Sequence, residues 1–184
     1  MDLKLALNNS KELILNEWLN YVFDSYPVES GKFLKNGKNR FSNPVGYNIA
    51  KELEILLDVI LDHSNSNEQK IRESLSNFLK IRVVQDFNPS VTINFFLNLK
   101  KIIYSNINGK LNNSNDFDNL IDLFNTVDSI ALEAVDIFVS LKSKIYEIKA
   151  NETKNRFGKM AERIMKKYGI DENNDNETNL SEGL

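Results

Sequence analysis

Arg82, Gln85, Asp86 and Lys100 are the residues whose chemistry is hardest to assign to a solvated surface. At 100° per residue, a helix from about Glu68 to Asp86 sets Arg82 between Leu75 and Phe78. That is near the middle of an apolar stripe beginning at Ile71, with Gln85 and Asp86 at its edges. On the following helix Lys100 falls in the middle of the stripe made by Ile93, Phe96, Leu97, Tyr104 and Ile107. An unpaired charge facing a core is costly, so each cation needs a partner. In one arrangement Arg82 pairs with Asp86 four residues on, while Lys100 reaches past its apolar neighbours to solvent or to a helix carboxyl end. In another, Arg82, Gln85 and Lys100 line an interior polar pocket for an anion, a polar small molecule or a partner's carboxylate, ligands that converging cations suit. A dimer contact is a third use of the same side chains.

Other chemistry has little foothold. The single histidine, His63, falls at the end of a predicted helix, where a cationic ring is stabilised by the helix dipole and reads as a surface cap. It is poorly placed as a haem ligand, and the turn after it denies it the exposed mid-helix site of a phosphotransfer histidine. With no cysteine there is no thiolate nucleophile, disulfide or cysteine-ligated metal. The carboxylates, for example Glu52 with Glu54 or Glu152 with Glu162, form no Glu-x-x-His pair, and no phosphate-binding glycine motif or G-x-S-x-G elbow occurs. The expectation is a protein that is not an enzyme and uses no cofactor or metal.

The elements that must position the four residues are helical. A chain of 184 residues with 41% hydrophobic content can form one domain with a core. Leu15, Trp18, Leu19, Val22 and Tyr26 recur at helical steps until Pro27 stops them. Val28 to Ser42, with its glycines and lysines, reads as a connector. Asn43-Pro44 and Asn88-Pro89 read as helix starts, because proline needs no amide partner at the first helical position and asparagine caps free amides there. The first opens a helix to about Asp62 with Val45, Ile49, Leu53, Leu56 and Ile60 inward, and Ser64 to Asn67 turns the chain. The second opens a helix to about Asn108. After a break at Asn112 to Asn115, Leu120, Phe124, Val127, Ala131, Ala134, Phe138, Leu141, Ile145 and Ile148 share one face. Phe157, Met160, Ile164 and Tyr168 continue the spacing past Gly158. One helix from Asp116 to Tyr168 would be about 80 Å long at 1.5 Å per residue, so part of it must project or pair with another chain.

The net charge of −3 conceals an asymmetry. From Lys142 to Tyr168 there are nine Lys/Arg against three Glu, and from Gly169 to Leu184 five acidic residues and no basic one. The basic stretch could follow phosphates, but its apolar spacing fits a packing seam better, so a partner helix is expected and nucleic acid is not. No apolar run reaches membrane-spanning length and the amino terminus is too short in apolar residues for a signal peptide, which points to the cytoplasm. The expected organisation is a helical domain over 1–150, a projecting helical continuation over 151–168 and a disordered acidic tail over 169–184.

Several segments together resemble a known family: Glu17-Trp18-Leu19 with Tyr26-Pro27, Arg40-Phe41-Ser42-Asn43-Pro44-Val45-Gly46, the run from Ile81 to Ser90, and Leu99-Lys100. Asp136-Ile137-Phe138, Lys144-Ile145-Tyr146-Glu147 and Asn151-Glu152 belong to the same pattern. In order and spacing, over roughly 10–165, they resemble the amino-terminal domain of the RsbRD-type RsbT co-antagonist proteins, the sensory half of RsbR-related stress-signalling proteins. The resemblance implies an all-α, haem-free globin-like bundle with a long carboxyl-terminal helix, a sensor or interaction module that is often dimeric. No phosphorylatable STAS domain follows here, which favours a stand-alone sensor or adaptor, homodimeric through its first and last helices, with room for a small ligand inside. The alternatives are an anion- or small-molecule-binding protein holding its ligand with Arg82 and Lys100, and an accessory subunit attached to a membrane respiratory complex by its basic helix.

Overall fold

The computed structural model describes residues 2–36, 40–61, 68–111 and 114–169. Among these, all regular structure is helical: α1 (Leu3–Asp24), α2 (Val28–Asn36), α3 (Pro44–Leu61), α4 (Glu68–Val84), α5 (Pro89–Ile107) and α6 (Ser114–Tyr168). The protein is an all-α bundle with a long last helix. The chain divides into two units, Met1–Lys142 and Ser143–Leu184. His63, the turn at Ser64 to Asn67 and the acidic tail beyond Gly169 lie outside the described residues.

In the first unit α1 packs on α5, α2 and α3, and α3 packs on α4. The centre is aromatic. Trp18 donates its indole N–H to the Phe95 carbonyl at 2.9 Å, and its ring lies 5.7 Å from Phe95, which in turn meets Phe96 at 4.0 Å and Phe78, edge to face, at 4.7 Å. Such contacts add to area burial and fix ring orientation. Ile49, Leu53, Leu56 and Ile60 of α3 are buried as their spacing predicts, whereas Val45 is half-buried.

The expected connector from Val28 to Ser42 is instead α2 over its first nine residues. Pro27 supplies a carbonyl to the Gly31 amide at 2.8 Å, and Glu29 and Lys35 sit at the ends that suit their charges. Gly31, one of the glycines of the expected connector, is a close-approach residue: a Cβ there would lie 2.8 Å from the Phe23 carbonyl oxygen. The glycine lets α2 fold against α1 rather than loosening it.

α6 enters the bundle by a long-range cap. Asp2 precedes α1 but makes no capping hydrogen bond with its side chain; the buried Asp116 Oδ1 accepts the Leu3 amide at 3.2 Å instead. An anion at a helix amino terminus also meets the favourable end of the dipole. Leu120, Leu123, Val127, Ile130, Ala131, Ala134 and Phe138 are then buried, Leu141 and Ile145 half-buried, and Ile148 exposed.

Candidate functional site

The four polar residues are placed by the junction between α4 and α5. α4 ends at Val84, two residues earlier than its periodicity suggests, because Asp86 adopts the left-handed conformation with φ +57°. The Phe87 amide donates to the Arg82 carbonyl and the Asp86 amide to the Val83 carbonyl, each at 3.1 Å. That pair of bonds is a Schellman ending, with aspartate where glycine is commonest. A Schellman ending usually brings an apolar contact between the third-last helical residue and the second one past the end. Here those positions are Arg82 and Phe87, and the guanidinium carbon stands 3.4 Å from the Phe87 ring centroid.

Arg82 is 1% exposed. Its guanidinium also lies 5.0 Å from the Tyr26 ring, and Tyr26 and Phe87 meet edge to face at 4.9 Å. Nη2 donates to Ser25 Oγ at 2.9 Å, and that hydroxyl donates onward to the Val22 carbonyl at 2.6 Å. Among the described residues, Nε and Nη1 are buried without a hydrogen-bond partner. Burial lowers the Arg82 pKa from the ordinary arginine value, with Tyr26 acting in the opposite direction.

The expected Arg82–Asp86 pair does not form. An i,i+4 pair requires both residues on one helix, and the left-handed turn carries Asp86 away. Its carboxylate is 87% exposed and meets Lys142 Nζ at 3.3 Å. Gln85 is likewise exposed, where its Oε1 accepts the Tyr26 hydroxyl at 2.7 Å. Arg82, Gln85 and Tyr26 therefore form one cluster. Tyr26 and Gln85 also line a surface cleft of about 480 Å³ with Phe33, Asn43 and Val45, and neither Arg82 nor Lys100 is among its lining residues.

Lys100 has a separate partner. Its Nζ meets Asp128 Oδ1 of α6 at 2.6 Å and is half-buried. The buried face of α5 is Thr92, Phe95, Phe96, Leu99, Ile103 and Ile107, while Leu97 and Tyr104 are exposed. The core face is thus turned by about 80° from the stripe centred on Lys100, at 100° per residue. Apolar residues cover more than half of this helix, so spacing alone does not choose between its faces.

Phe157, Met160, Ile164 and Tyr168 are all exposed, Phe157 by 67% and Tyr168 by 68%, and they fall within about 80° of one helix face. Gly158 does not interrupt α6. Among the described residues no helix is long and apolar enough to cross a membrane, and no group of three or more His, Cys, Asp or Glu could hold a metal ion. Sequence reasoning passed over Ser25, Tyr26 and Phe87 around Arg82, and Asp128 and Asp116 on α6. Only Phe87 carried a local signal, as the apolar residue following a helix-ending aspartate. No family model, curated protein or solved structure matches the chain.

Proposed function

We propose that the protein is a non-catalytic sensory or regulatory adaptor of the stress-signalling co-antagonist type, a haem-free globin-like domain that works through dimer or partner contacts. The observation that supports this most is the row Phe157, Met160, Ile164 and Tyr168, four large apolar side chains held in water on one helix face. Apolar side chains arranged at helical spacing and left exposed mark a surface that another helix covers. Affinity capture from source cells with the full chain, and with the chain carrying Phe157→Asp and Ile164→Asp, tests it. A partner or second copy held by the first and lost from the second, with unchanged circular dichroism, is expected. Equal capture by both chains sinks the reading.

A second reading is favoured by Arg82, whose Nε and Nη1 lie buried with no acceptor among the described residues. In it the Arg82 cluster holds an anion or polar small molecule. Native mass spectrometry of the purified protein should then retain extra mass, lost on Arg82→Met; a bare mass for the wild type rules it out.

A further inference from the structure

α6 separates charge along its length. From Ser114 to Leu141 it has six Asp/Glu and no Lys or Arg; from Lys142 to Tyr168 it has nine Lys/Arg and three Glu. The acidic part belongs to the first unit. There it also presents Phe117, Ile121, Leu132, Val135 and Val139 to solvent, Leu132 by 70%. These five fall within about 60° of one face, turned about 95° from the buried face of Leu120, Val127 and Phe138. Asp118, Asp122 and Asp136 are exposed beside them, while Asp128 and Glu133 are held by Lys100 and Arg72. The basic part, which but for Lys142 belongs to the second unit, carries the row Phe157, Met160, Ile164 and Tyr168 among Lys154, Arg156, Lys159, Arg163 and Lys167.

We infer that the occupant of each surface is the other, supplied by a second copy of the chain. The basic segment 143–168 of one copy lies on the acidic, apolar face of α6 in its partner, and by two-fold symmetry the reverse contact forms as well. Each surface offers an apolar row of matching kind with the opposite sign of charge beside it, so both desolvation and Coulomb attraction favour their meeting, whereas like surfaces repel. This deepens the adaptor reading and rests on it for the dimer contact, with the added claim that sign of charge selects the partner.

The test uses the full chain and two charge-reversed forms. One carries Lys154→Glu, Arg156→Glu, Lys159→Glu and Arg163→Glu; the other carries Asp118→Lys, Asp122→Lys and Asp136→Lys. All seven side chains are exposed, and circular dichroism checks that each form keeps its helix content. Sedimentation equilibrium should show a wild-type dimer that weakens with salt, dissociation constants raised by about a hundredfold or more in each reversed form alone, and a 1:1 heterodimer when the two are mixed. A dimer that persists unchanged in both reversed forms, or a mixture that stays monomeric, overturns the reciprocal docking while leaving an adaptor with another dimer contact. A monomeric wild type that binds phosphatidylserine vesicles or captures a different protein also overturns it.

Discussion

The same dipeptide opens two helices in this molecule and is supported in opposite ways. At Asn43-Pro44 the asparagine is buried: Oδ1 accepts the Gly46 amide at 2.9 Å, capping α3, while Nδ2 donates to the Leu34 carbonyl at 3.0 Å and the Phe33 carbonyl at 3.2 Å, closing α2. At Asn88-Pro89 the asparagine is exposed, and its side chain makes no capping bond. Only its backbone carbonyl takes part, accepting the Thr92 amide at 3.1 Å. There the preceding helix ends itself, through the left-handed Asp86 and the Arg82–Phe87 contact. Proline sets the start of a helix in both places; the asparagine is decisive only where the neighbouring helix leaves carbonyls for it to satisfy.

Substitutions sharpen this contrast. Asn43→Ala removes a bond to each of two helices and strands buried carbonyls, and should destabilise by about 2–4 kcal/mol in urea unfolding. Asn88→Ala, by contrast, should change stability by less than about 0.5 kcal/mol. Equal losses at the two sites would break the comparison. Gly46→Ala should cost about 1–3 kcal/mol, because its Cβ would collide with Asn43 Nδ2 and lie 2.8 Å from the Leu34 carbonyl oxygen; a neutral result means the cap can shift. Phe87→Ala should cost about 2 kcal/mol by opening the corner that the Tyr26 and Phe87 rings make around Arg82, and a change under about 0.5 kcal/mol would show that Tyr26 and Ser25 suffice. Asp86→Gly should gain about 0.5–1 kcal/mol, since relief of the left-handed backbone outweighs loss of an exposed ion pair with Lys142. A drop in melting temperature would place the importance of Asp86 in that pair.

Several of these features could be read in advance and others could not, for reasons particular to each residue. The starts at Pro44 and Pro89 were legible because proline acts on its own backbone. Arg82 was legible as an inward cation because α4 has one narrow apolar stripe, but its pairing with Asp86 presumed a helix that continues two residues too far. Lys100 was misplaced on a helix whose apolar coverage is too broad to orient by spacing. α2 was hidden by Gly31, whose role as a close-approach residue depends on Phe23 of another helix.

By itself the amino-acid order determined what depends on near neighbours: helical periodicity, the proline-set starts, the inward charge at position 82, and the separation of acid from base along the last helix. The tertiary structure decided the partners. Ser25 reaches Arg82 across 57 residues, Asp116 caps Leu3 across 113, and Asp128 meets Lys100 across 28. A backbone dihedral or a repeat of apolar residues follows from local sterics, whereas a buried donor takes whichever acceptor packing brings within hydrogen-bond distance, and that is settled only when distant helices close on one another.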